Sequence, residues 1–231
     1  AWLREVHIQQ WTVIEGECLA LGIVEAIVGQ TRGVLAIGGR AGHAGTVPMG
    51  YRQDAFVTAA EIALALEARA KAGTHGLVGT IGRVAVGPGL VNVIPDHVTC
   101  SIDIRSTDDR VREAAVAGFL DEARAIAGRR GCRLDWTPNQ VTPRVACDPG
   151  LKAALARAIA DLGEHPRELP SGAGHDAQVM ASIGPSAMLF VRCRGGVSLH
   201  PEELASHADM GAAILALSHV LYGFDREGLG A

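Results

Sequence analysis

Short segments spread along this chain set imidazole, amide and guanidinium groups among small or apolar residues. Leu169 to Ala177 places His175 beside Asp176 on a turn built from glycine and small side chains. Glycine lets a backbone approach a ligand closely, so an imidazole there can reach into a cleft. In Val6-His7-Ile8-Gln9-Gln10, a strand puts His7 and Gln9 on one face and Gln10 on the other, unless the strand ends first. An imidazole at an apolar strand end is a ligand for a first-row metal; a satisfied core or surface histidine fits the same residues, and better on sequence alone. His43, in Gly42 to Met49, suits polarising a carbonyl or binding an anion, or merely joins a strand to a helix. Asn92 and Arg105 interrupt apolar runs, where a polar group needs a partner. Together they could hold a carboxylate, the arginine through its two-pronged fork. Asp103 and Arg105 equally read as an ion pair on one sheet face. His200, after a glycine turn and before Pro201-Glu202-Glu203, suits a metal site, or a helix start whose acids favour the dipole. His75, His97, His165, His207 and His219 read as surface or packing residues.

The elements that must position these groups follow from hydropathy and turn chemistry. Val6 to Ile8, Ile23 to Val28 and Gly33 to Gly38 read as strands. Asp54 to Ala72 reads as a helix with Ala55, Ala59, Ile62, Leu66 and Ala70 on its buried face. Leu77 to Val86 and His97 to Ile104 alternate as strands, with turn-rich Gly87-Pro88-Gly89 and Ile94-Pro95-Asp96 between them. Asp108 to Ala127 reads as a helix capped by Asp108 or Asp109, and Cys132 to Thr137 as a strand. From Thr31 to Val141 the order is therefore β-α-β-β-α-β, that of a ferredoxin-like split βαβ sandwich. Beyond it come a helix over Leu151 to Leu162, a strand over Ala187 to Val191 and a helix over Met210 to Leu221. The fold class is α/β: a domain over residues 31–141 inserted between two pieces of another, residues 1–30 and 142–231.

Bulk properties narrow the function. A net charge of −4 with scattered Lys and Arg gives no concentrated basic face for nucleic acid. No apolar run approaches the ~20 residues of a membrane span. The five cysteines, without a Cys-x-x-Cys pair, read as reduced and mostly buried thiols of a cytoplasmic protein. The N-terminus carries no initiator Met and no signal-peptide pattern and enters a strand at once, so the chain reads as the later part of a longer protein.

Taken in order, the segments around His7, His43, Asn92, Arg105, His175 and His200 resemble the amidase/hydantoinase/carbamoylase branch of the M20-type metallopeptidase superfamily. That branch holds N-carbamoyl-L-amino acid hydrolases, allantoate amidohydrolases and β-ureidopropionase-like enzymes. The resemblance spans nearly the whole chain. It implies metal-assisted hydrolysis of a linear C–N bond in a carboxylated substrate, with two divalent ions (zinc, with manganese, cobalt or nickel as alternatives) acidifying a water and a Glu moving its proton. By resemblance His7 and His200 are metal ligands. Gln10, Asn92 and Arg105 grip the substrate carboxylate, and His43 and His175 bind the amide or stabilise the oxyanion. The inserted domain is the lid, which makes a homodimer and can place polar groups in the partner subunit's site.

The departures are specific. The family's earlier half, with its His-x-Asp motif, bridging Asp and Glu-Glu pair, has no counterpart here. Leu199 stands where the closing motif has its ligand, with His200 one residue later; Gln9, Trp11 and Thr12 replace a Glu, a Gly and a Pro. The expected function is thus the C-terminal portion of a metal-dependent amidohydrolase whose first half lies upstream or in a separate subunit. The alternatives are a non-catalytic dimerisation or regulatory subunit, and a carboxylate-binding protein without the metal centre.

Overall fold

The structure is a computed structural model that describes residues 3–227; Ala1 and Trp2, at the N-terminal approach to the first expected strand, lie outside them. In chain order the elements are β1 (Leu3–Ile8), α1 (Val13–Gly16), β2 (Leu21–Ile27), β3 (Gly29–Gly38), α2 (Ala55–Ala72), β4 (Val78–Gly87), β5 (His97–Ser106) and α3 (Asp109–Arg129). They continue with β6 (Arg133–Thr142), β7 (Val145–Ala146), α4 (Pro149–Asp161), β8 (Glu168–Ser171), α5 (Asp176–Met180), β9 (Ser186–Val191) and α6 (His207–Glu227). Two compact units share this chain, one from residues 1–28 and 145–231, the other from Gly29–Arg144.

In the first unit a sheet runs β1-β9-β2-β7, with β8 also pairing β2. β9 is Ser186 followed by the apolar run Ala-Met-Leu-Phe-Val, and all of it is buried. It lies parallel to β1, with His7 opposite Phe190, and a strand buried on both faces reads as a near-continuous apolar run. Leu151, Leu155 and Ile159 of α4, Ala213, Ala216 and Val220 of α6, and Ile14 of α1 complete the core. Burying each large aliphatic side chain contributes about 1.5–3 kcal/mol.

The second unit has the β-α-β-β-α-β order, with an antiparallel sheet β4-β5-β3-β6 and α2 and α3 packed on one face. Alternation explains the layering: Val98, Cys100, Ile102 and Ile104 of β5 point to the helices, while Thr99, Ser101, Asp103 and Arg105 take the other face. Both helices start where sequence chemistry places them. Asp54 accepts the Phe56 and Val57 amides, and Asp108 those of Arg110 and Val111. Thr58, absent from the expected buried face of α2, is fully buried, its hydroxyl donating to the Asp54 carbonyl, whereas Ala70 is only half-buried. The strand β6 runs on to Thr142, and a register shift beside Arg32 and Gly33 accommodates Pro138 on this edge.

β4 is the other edge. It is ten residues long, and Val78, Val84 and Val86 on it are 51%, 50% and 38% exposed. Arg83 is its one charged residue.

Candidate active site

Period-two alternation sets Glu5 and His7 on one face of β1. His175 holds the N-cap position of α5, in the loop after β8, with its side chain free of any capping bond. The His7 and His175 rings meet edge to face, centroids 4.8 Å apart at 68°, with Phe190 6.2 Å beyond His175. Ser171, the last residue of β8, has its hydroxyl 2.6 Å from His175 Nε2. Glu5 Oε1 faces His175 Nδ1 at 3.6 Å, and Glu5 Oε2 accepts the Ala177 amide at 2.8 Å. Both ring nitrogens of His175 therefore face groups of its own unit. Burial pushes this imidazole below its usual pKa, and the neighbouring His7 adds to the effect against the opposing pull of Glu5 and Asp176.

His7 Nδ1 lies 2.9 Å from the Ile8 carbonyl oxygen. A carbonyl only accepts, so Nδ1 carries the hydrogen, and the neutral ring keeps a lone pair on Nε2. That is the tautomer of a metal-ligating histidine.

The residues after β1 answer the substitutions seen in the sequence. The strand ends at Ile8, so Gln9 turns inward, 2% exposed, and its Oε1 accepts the Ile14 amide at 3.0 Å. Where the family resemblance has an acid, this chain has a cap for α1. Gln10 is half-buried in the bend that follows, and Trp11 is 70% exposed. The loop before His200 rests on this same bend. A Cβ on Gly196, at φ +60°, would lie 2.6 Å from the Trp11 carbonyl carbon and 2.9 Å from the Thr12 nitrogen. Further along, Leu199 has φ +56° and is 98% exposed. His200 is exposed as well, its Nδ1 accepting the Glu202 amide at 3.3 Å. Among the described residues, no three of His, Cys, Asp and Glu are grouped so as to hold a metal ion. His7 and His200 therefore do not make a two-metal centre from this chain's described residues.

In the second unit, residues 39–47 pair with residues 90–96. Gly39 donates to the Asp96 carbonyl at 2.7 Å, Ile94 to Gly42 at 2.8 Å, and Ala44 to Asn92 at 2.9 Å. His43 bridges Val93, so His43 and Asn92, both exposed, sit on one projection. The Gly45 amide donates to His43 Nδ1 at 3.0 Å, which leaves the hydrogen of the neutral ring on Nε2 as a donor.

Arg105 lies at the other end of the sheet. On β5, His97 pairs with Gly38 and Gly87, and Arg105 with Gln30 and Val78. Eight residue steps separate them along the strand, about 26 Å. The structure does not bring Asn92 and Arg105 of one chain together. Arg105 donates from Nε (2.9 Å) and Nη2 (2.8 Å) to Asp103, and Arg32 Nε donates to the same carboxylate at 2.8 Å. The ion pair that the spacing allowed is present. Burial works to raise the Asp103 pKa, but Arg105 and Arg32 outweigh it and hold the carboxyl below its usual range.

Sequence reasoning missed Glu5 and Ser171. The signal for Glu5 was its place two residues before His7 on a strand; nothing in the sequence marked Ser171 beyond its short distance from His175.

The model of the peptidase family M20/M25/M40 matches residues 1–223. The chain belongs to this family. It is 42% identical over 92% of its length to a probable allantoate deiminase of Oryza sativa subsp. japonica, and 38% identical over 94% to an N-carbamoyl-L-amino acid amidohydrolase of Geobacillus stearothermophilus. The chain spans about half of those relatives, 49% and 53% of their lengths. A crystal structure of an amidase of the hydantoinase/carbamoylase family from Burkholderia vietnamiensis superposes with a TM-score of 0.90 at 31% identity, covering 95% of this chain and 53% of that one. The family likeness thus takes in both units and every segment that holds a site residue. No helix among the described residues is long and apolar enough to cross a membrane.

Proposed function

We propose that this chain supplies the lid, the carboxylate grip and part of the metal site of an amidohydrolase that cleaves a linear amide or ureido C–N bond in a carboxylated substrate, of the N-carbamoyl-L-amino acid or allantoate kind. The observation that carries this is the chain-long similarity, at 42% and 38% identity, to relatives named for allantoate and for N-carbamoyl-L-amino acids. In this reading residues 1–30 and 142–231 belong to the catalytic domain and residues 31–141 form the lid. His7, with its Nε2 lone pair, is a ligand for a divalent ion such as zinc. Its companions come from a longer polypeptide or a separate subunit, because the described residues do not group into a metal centre. His200 joins that set only if its exposed loop rearranges. Gln10 lines the substrate side of the bend after β1. His43 offers its Nε2–H to the amide or oxyanion, and Arg105, whose guanidinium fork matches a carboxylate, takes the substrate carboxylate. His175, with both nitrogens on internal partners, acts by holding His7.

The separation of Arg105 from His43 and Asn92 favours a homodimer. One lid cannot present both ends of β5 to one small substrate. A two-fold pair of lids presents Arg105 from one copy and His43 with Asn92 from the other. The free β4 edge, self-complementary under two-fold symmetry, supports pairing of the lids.

The test is release of ammonia from N-carbamoyl-L-amino acids and from allantoate by the longest natural polypeptide containing this chain, before and after chelation of divalent metal. Turnover lost on chelation and restored by zinc, manganese, cobalt or nickel is the expected result. Tight binding of N-carbamoyl amino acids with no turnover under any metal would replace it with the carboxylate-binding reading, which the lack of a grouped ligand set favours.

A further inference from the structure

We propose that Glu5 is a positioning residue that fixes the tautomer of His175 and, through that ring, the orientation of His7. Its functional meaning rests on the metal-ligand reading of His7; its geometry does not.

A carboxylate only accepts hydrogen bonds. One oxygen of Glu5 takes the Ala177 amide at 2.8 Å and so ties β1 to the first turn of α5. The other faces His175 Nδ1 at 3.6 Å. A protonated Nδ1 is attracted there, whereas a lone pair would meet the lone pairs of an anion. With the hydrogen on Nδ1, Nε2 of the neutral ring is an acceptor, and the Ser171 hydroxyl 2.6 Å away must be its donor. Ser171 Oγ in turn receives the Ala173 amide at 3.3 Å. The polar hydrogens then run one way, from Ala173 to Ser171, to His175, toward Glu5. The reverse order has Ser171 donating to the Ala173 carbonyl at 3.3 Å, and it turns the lone pair of His175 to the carboxylate.

A ring hydrogen-bonded at Nε2 and drawn toward a carboxylate at Nδ1 has a preferred orientation, which sets the surface that His175 offers to His7 at 4.8 Å. His7 is thereby supported twice, by its bond to the Ile8 carbonyl and by the His175 ring. Outer groups that orient a ligating histidine typically change metal affinity by about 10–100-fold.

The test is a long-range proton–nitrogen correlation on the chain labelled with ¹⁵N-histidine at neutral pH. His175 in the Nδ1–H form is expected in the wild type. In Glu5→Gln the amide oxygen keeps Ala177 and the amide NH₂ faces Nδ1, so His175 shifts to the Nε2–H form, and the His7 signals move with it. Wild-type His175 in the Nε2–H form overturns the proposal, as does an unchanged tautomer in Glu5→Gln; His7 signals unaffected by the change overturn the link to His7. If Glu5→Gln does not fold, the wild-type tautomer decides. An inactive protein with the Nδ1–H form would sink the enzymatic reading and leave this one standing.

Discussion

Arg105 stands at one end of β5 and Asn92 in the loop that leads into the other end, where the first residue of the strand, His97, lies eight residue steps, about 26 Å, from Arg105. If the two residues share one substrate, as proposed, they must reach it from two copies of the chain.

A mixing experiment checks this. Dimers of Arg105→Ala lose the carboxylate contact at both sites, and dimers of Asn92→Ala lose the other contact at both. In randomly exchanged mixtures about half the dimers are hybrids, each with one site bearing both lesions and one bearing neither. Activity should return to about a quarter of wild type. No recovery after proven subunit exchange would place both residues in one chain's site.

Asp103→Asn should weaken the sheet face that carries Arg105. The carboxylate takes three hydrogen bonds from two arginines, and losing its charge is expected to cost about 1–3 kcal/mol, read by urea unfolding. The pH dependence has a definite sign. The folded pKa lies below the unfolded one, so this stabilisation is present above about pH 4 and is lost as pH falls through the folded value. The variant should show a flatter stability profile below that pH.

Gly29→Ala should destabilise the second unit. A Cβ there falls against Asp109 Oδ1, Arg112 Nη1 and the Arg144 nitrogen. Asp109 holds buried Arg112 at 2.8 Å and accepts the Arg144 amide, so the methyl intrudes on the clasp that closes this unit at its two chain ends. A loss of about 1–3 kcal/mol is expected, with the melting temperature as the readout; an unchanged value would show that the clasp gives way freely.

His200→Ala should leave stability within about 0.5 kcal/mol, since the side chain is exposed and meets only the amide and the exposed carboxylate of neighbouring Glu202 among the described residues. A larger loss in thermal unfolding would reveal a packed role for this loop.

The inserted fold was legible because its signals are local. Asp54 and Asp108 cap the helices that they precede, and the alternation of β5 sorts its residues onto two faces. What escaped depends on contacts between distant segments. Gln9 reads as a replaced acid until the strand is seen to stop at Ile8 and the amide to cap α1. Glu5 has no role in the sequence pattern until α5 folds beside it and its carboxylate takes the Ala177 amide. Asn92 and Arg105 read as one grip because sequence spacing says which face a residue takes, but not which end of a sheet its work requires. The short elements α1, β7 and β8 lack enough residues for a periodic pattern and exist through pairing with β2 or through the Gln9 cap.

The exposed edge of β4 has a consequence for handling the protein. An apolar strand with open hydrogen-bonding groups will template any extended chain that meets it, and unfolded copies are the commonest such chains during synthesis. Arg83, the one charge in a strand of small, β-branched and apolar residues, breaks the run into two stretches too short to stack into fibrils. Replacing it with valine would leave the folded unit intact yet send newly made protein into inclusion bodies.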